Sequence, residues 1–119
     1  MYSQGWSEVQ EVVWRIILLD VFEKVLILDS RQLLVTDLKI GNALAKMIND
    51  LIPYVQKEAA KARDKLRKMG ARIIEVRQLP HTREVKVVYE GYNFKLSYLN
   101  GLIQAECEEL LLSYLRGQK

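Results

Sequence analysis

One cysteine and one histidine in 119 residues leave no means of forming an intrachain disulfide or a Cys/His metal cluster within a single chain. Two prolines and six glycines are too few for a flexible linker, and a 50% hydrophobic content argues against disorder. Basic residues exceed acidic ones by only 18 to 15, well short of the surplus of an obligate nucleic-acid binder. The most apolar stretch, residues 12–28, is apolar at 13 of 17 positions. Arg15, Asp20, Glu23 and Lys24 break it long before the roughly 18 uncharged residues that a membrane span requires. The residues before it hold no basic cluster of the kind that opens a secretory leader, so the expectation is a cytoplasmic protein with no membrane partner. A phosphate loop, a dinucleotide fingerprint and zinc-type spacing are all lacking, so no cofactor is expected.

The apolar pattern that is present changes period once. Ser7 followed by Gln10 has capping-box spacing, and Val9, Val12, Val13, Ile16, Leu19, Phe22 and Leu26 follow at helical intervals. They predict a first helix from about residue 8 to about residue 29. Trp14, Ile17, Leu18, Val21 and Val25 fill its other sides, so this helix needs cover from several directions, either by a central place in the fold or by a second subunit. Thr36 and Asp37 are candidate caps for a second helix. Its apolar positions Leu44, Ile48, Leu51, Val55, Ala59, Ala62, Leu66 and Met69 recur at near-heptad spacing. Pro53 predicts a kink near Ile52, or two helices with Pro53 in the first turn of the second, and Gly70 supplies a left-handed stop.

Beyond Gly70 the period is two. Glu90 and Gly91 between Tyr89 and Tyr92 suit a two-residue hairpin turn, which sets Val87 opposite Phe94 and Val85 opposite Leu96. A four-residue loop at residues 79–82 sets Val76 opposite Val85 and Ile74 opposite Val87 on the same face. Arg77 then meets Glu84 and Glu75 meets Lys86 on the other face, with Ile73 also on that outer side. A last helix follows, capped by Ser97 or Asn100, with an apolar stripe of Ile103, Cys107, Leu110, Leu111 and Tyr114. Arg116 and Lys119 fall near its C-terminal end, where positive charge is favoured. The expected architecture over residues 1–119 is one α+β domain. It has N-terminal helices, the long second one kinked or broken near Pro53, a three-stranded antiparallel meander, and a C-terminal helix packed on one sheet face.

Charge is distributed unevenly. Residues 1–54 hold five bases and seven acids, residues 55–90 hold ten and five, and residues 91–119 hold three of each. Lys57, Lys61, Lys65, Lys68 and Arg72 lie within about 80° of one another at 100° per residue, a basic ridge that faces phosphates or simply solvent. His81, next to Pro80 in the first hairpin loop, is the one side chain that titrates near neutrality. Cys107 shares an apolar stripe, where a thiol behaves as a small hydrophobe. Asp20 lies within the most apolar helix and calls for a counter-charge, with Lys24 and Arg15 as candidates. No nucleophile and base are placed together, so catalysis is not expected.

From Pro53 to Arg116 the order helix, three-stranded meander, helix resembles the layout of the double-stranded-RNA-binding domain. That family also has a Pro and a His in the loop between its first two strands, matched here by Pro80 and His81. The resemblance implies that His81 enters a minor groove while the ridge or the last helix holds phosphates. The chain departs from the family at the start of the last helix, where a lysine-rich segment is replaced by Asn100-Gly101-Leu102-Ile103-Gln104-Ala105-Glu106. The likeness is therefore one of topology, and no family is assigned from it.

The expectation is a small non-enzymatic protein that acts by protein–protein association, as a homodimer or with another protein partner. Trp14, Ile17, Leu18, Val21 and Val25 are the candidate interface. The alternative is a nucleic-acid-binding module that uses Lys57, Lys61, Lys65, Lys68, Arg72 and His81.

Overall fold

The computed structural model describes residues 4–117. The elements are α1 (Gln4–Val35), α2 (Gly41–Asn49), α3 (Ile52–Lys68), β1 (Ala71–Gln78), β2 (Thr82–Tyr89), β3 (Tyr92–Leu99) and α4 (Asn100–Leu115). This is the expected α+β order, with the two-helix alternative realised at Pro53, which stands in the first turn of α3. Lys119 lies outside the described residues.

α1 has 32 residues, about 48 Å at 1.5 Å per residue, and spans most of a molecule 56 Å long. It begins earlier and ends later than its sequence signals suggest. Ser7 is an exposed residue inside the helix rather than its cap. Thr36 closes the end of α1 by donating its hydroxyl to the Gln32 carbonyl (2.7 Å), and α2 starts without a side-chain cap, so neither Thr36 nor Asp37 caps it. Between Asp29 and Gly41 there is neither glycine nor proline to stop α1 sooner.

α2 and α3 return antiparallel along α1. Val55, Ala59, Ala62 and Leu66 of α3 are buried, and the two alanines allow a close approach to Val9, Val13, Ile16 and Leu19 in the core. Polar links flank this seam: Arg15 with Glu58 (3.4 Å), Glu23 with Gln56 (3.0 Å) and Asp20 with Arg63. The partner of Asp20 thus comes from α3, not from Lys24 or Arg15. Farther along, the buried Ser30 hydroxyl donates to the Ile27 carbonyl (3.0 Å) and reaches the Asn49 side-chain oxygen (3.1 Å), tying α1 to the end of α2.

The sheet has order β1-β2-β3, with both pairs antiparallel. Glu90 (φ 53°) and Gly91 (φ 77°) both occupy the left-handed region, as a two-residue hairpin turn demands. Val87 faces Phe94, Val85 faces Leu96 and Val76 faces Val85, with Glu75 opposite Lys86 and Arg77 opposite Glu84. One register differs: a bulge between Ile73 and Glu75 leaves Ile73, not Ile74, opposite Val87. The extra residue exchanges the two isoleucines, so Ile73 packs against the core and Ile74 stands 49% exposed.

Beneath β2 and β3 the sheet rests on the indoles of α1. Trp6 stacks on Phe94 with ring centroids 3.8 Å apart and lies 6.1 Å from Tyr89, while Trp14 meets Tyr98 at 5.0 Å. α4 buries Ile103 and Cys107 and brings Tyr114 to 6.0 Å from Phe22. Neither Ser97 nor Asn100 caps it. Asn100 instead joins α4 to the β1–β2 loop: its backbone N–H donates to the His81 carbonyl (2.9 Å) and its side-chain amide to the Leu79 carbonyl (3.0 Å).

The hairpin of α1 and α2 closes at Gly41, where an added Cβ would lie 2.9 Å from the Leu33 carbonyl oxygen. Gly41→Ala is expected to cost about 1–3 kcal/mol, seen as a lower urea midpoint with an unchanged slope.

Candidate functional site

α3 is amphipathic, so burying Val55, Ala59, Ala62 and Leu66 turns Lys57, Lys61, Lys65 and Lys68 outward, and all four are exposed. Gly70 (φ 79°) then reverses the chain and Arg72 continues the ridge onto β1. Two of the five cations are committed: Lys61 to Glu58 (3.5 Å) and Lys68 to Asp64 (2.9 Å). Asp64 also receives Arg67, and the bonds from Lys68 and Arg67 hold its carboxyl below the usual carboxylate range. Lys57, Lys65 and Arg72 make no ion pair with a described residue.

His81 does not join the ridge. It is exposed in the loop at the far end of β1, about 20 Å from Arg72 at 3.3 Å per strand residue. The first turns of α4 expose Gly101, Leu102, Gln104 and Ala105 and present no cation. The phosphate-binding arrangement implied by the double-stranded-RNA-binding layout is not assembled.

The candidate interface on α1 is partly covered by the chain itself. Ile17 and Leu18 are 2% and 6% exposed, Trp14 packs on Tyr98, and Val21 and Val25 are half-buried walls of a cavity between α1 and α4. Ile17 and Leu18 are thus covered within the fold, while Trp14, Val21 and Val25 keep part of their surface open.

Exposed apolar surface lies elsewhere. At the far end of the helical hairpin Leu28, Leu34, Val35, Leu38, Ile40 and Met47 are 45–79% exposed. The sequence signal for this tip was the uninterrupted helix beyond Asp29, which carries Leu33, Leu34 and Val35 past the sheet and α4.

Concavities also mark the surface of the described residues. The cavity between α1 and α4 measures about 450 Å³. It has apolar walls, Asp29 and Glu108 as exposed lining residues, and Arg83, which bonds Gln78 (3.2 Å) and keeps its Nε buried without a partner. A cleft of about 270 Å³ between α1 and α3 holds the Arg15–Glu58–Lys61 cluster. The third, about 490 Å³, opens beneath β1, among Ile16, Ile17, Leu66 and Val76, with Arg63, Arg67 and Arg72 around it. Among the described residues there is no cluster of three or more His, Cys, Asp or Glu placed for a metal, and no helix long and apolar enough to cross a membrane.

These features define a class: a small α+β protein in which a long helical hairpin carries a three-stranded sheet and a crossing helix. The sequence profile of the YhjD protein family matches residues 7–119, and the chain belongs to that family. Comparison with curated proteins and with solved structures finds no match.

The buried groups on α4 and β3 give a pH signature. Burial pushes the Cys107 thiol up to about 11, with Glu106 and Glu108 adding to the shift, and pushes the Tyr98 phenol up to about 12. Below the ordinary values of 9.0 and 10.0, folded and unfolded chains both keep these protons. Above them the unfolded chain releases its protons first. Stability is therefore expected to fall as pH rises through the window from about 9 to about 12, read as a declining urea midpoint.

Proposed function

We propose that the protein acts by association rather than catalysis, pairing first with a second copy of itself through the tip of the α1–α2 hairpin, as an adaptor or regulator. The observation that carries this reading is the apolar tip, where Val35 is 79%, Ile40 65% and Leu28 62% exposed. Such grouped exposure marks interaction sites in soluble proteins. An isologous pairing covers the same patch twice and is the simplest closed assembly. A cytoplasmic setting belongs to this proposal and agrees with a free, buried Cys107.

Light scattering after size exclusion, at low and high protein concentration, tests the pairing. A dimer that dissociates on dilution, and that the double variant Val35→Glu with Ile40→Glu converts to a folded monomer, is the expected result. A wild-type monomer throughout would overturn the reading.

Nucleic acid is the second candidate partner, and the ridge supports it less well. Lys61 and Lys68 are already paired, and His81 stands about 20 Å from Arg72. Changing Lys61, Lys65 and Lys68 together to Glu is expected to leave retention on RNA and DNA columns unaltered in low salt, because the ridge serves as a solvated face. A salt-sensitive retention that the triple variant loses would restore the nucleic-acid reading.

A further inference from the structure

Because α1 places its indoles beneath β2 and β3, the core-facing side of β1 is left overhanging. Val76 is 42% exposed there, above the cleft of about 490 Å³. β1 is also a free edge: it pairs only with β2, and residues 71–78 make no other backbone hydrogen bond to a described residue. The bulge at Ile74 blunts the first half of this edge, as edge bulges do, but residues 75–78 beyond it keep a regular ladder and are all exposed.

The charge around this edge is one-sided. Arg63, Arg67 and Arg72 line the cleft where α3 turns into β1, against Asp20 and, on α3, Asp64. Both acids are already engaged, Asp20 by Arg63 and Asp64 by Arg67 and Lys68. On the outer face of β1 itself Arg72 and Arg77 flank Glu75, whose carboxylate is held by Lys86 at 3.4 Å. Arg77 makes only long contacts, 3.8 Å to Glu75 and 4.0 Å to Glu84.

We propose that the free edge of β1 and the cleft beneath it bind an extended peptide of alternating apolar and acidic residues as a fourth strand. The period of two sends one set of side chains to each face. Apolar residues then enter the cleft beside Val76, while carboxylates on the outer face meet Arg72 and Arg77. The peptide backbone satisfies the unpaired N–H and C=O groups of residues 75–78, in the β-augmentation mode. The cleft lies open along the strand, which suits an extended chain better than a small molecule that needs enclosure. This site is separate from the apolar tip and does not depend on self-association.

Fluorescence anisotropy with a labelled heptapeptide of alternating Glu and Val, set against one of alternating Lys and Val, tests the proposal on the full chain. Saturable binding of the Glu peptide alone, weakened by salt, is expected. The double variant Arg72→Glu with Arg77→Glu should lower affinity about tenfold or more. Should that variant misfold by circular dichroism, Arg67→Glu, an exposed α3 residue that lines the cleft, should weaken binding in the same direction. Hydrogen exchange should slow on adding the Glu peptide at residues 75–78. Equal binding of both peptides, no binding of either, or protection confined to other elements would overturn the proposal. So would binding of a single-stranded RNA oligonucleotide, but not the peptide, with the same sensitivity to these variants.

Discussion

The structure is organised around the need to cover one helix on several sides at once. Between Trp6 and Leu26, α1 buries residues in nearly every direction, from Val9 and Val13 to Leu18 and Phe22. Each such side chain contributes roughly 1.5–3 kcal/mol only when it leaves water, so the other elements take positions that meet this demand. α3 lies along one side with its alanines inward, the aromatic residues of β2 and β3 rest on the indoles, and α4 crosses over Phe22. Beyond Leu26 only α2 covers the same helix, over Ser30, and its other sides become the exposed tip.

Polar groups locate the packing more than they drive it. The links from Arg15, Asp20 and Glu23 to α3 are partly exposed pairs, individually worth little. They border a seam whose facing residues are set by the burial of Val55, Ala59, Ala62 and Leu66. Asn100 has a stronger positional role, because its backbone and side-chain donors both end on the β1–β2 loop and so set where α4 begins. The close approach at Gly41 does the same for the hairpin of α1 and α2.

A division of surfaces follows. One end of the molecule is apolar and the margin of the sheet is basic, while the outer face of the meander is covered by paired charges such as Glu75 with Lys86 and Glu84 with Lys95. These three regions differ in charge and polarity, which is why the proposed association through the tip and the proposed strand addition at β1 can be separated by experiment.

Local patterns in the sequence are enough for the element order, an interruption at Pro53, the hairpin at Glu90 and Gly91, and most of the strand register, while only the structure separates α2 from α3 there. These patterns rest on local effects: backbone sterics at glycine and proline, and the period of the apolar pattern. The sequence did not reveal the bulge, because Ile73 and Ile74 are equally apolar and only packing against Val87 distinguishes them. Nor did it give the true ends of α1, since Ser7 is absorbed into a helix that starts earlier and Thr36 closes α1 instead of opening α2. Which apolar residues remain on the surface was decided by the tertiary structure alone. Leu18 and Leu34 belong to the same helix and the same residue type, yet one is 6% and the other 53% exposed, because the sheet, α3 and α4 reach only so far along α1.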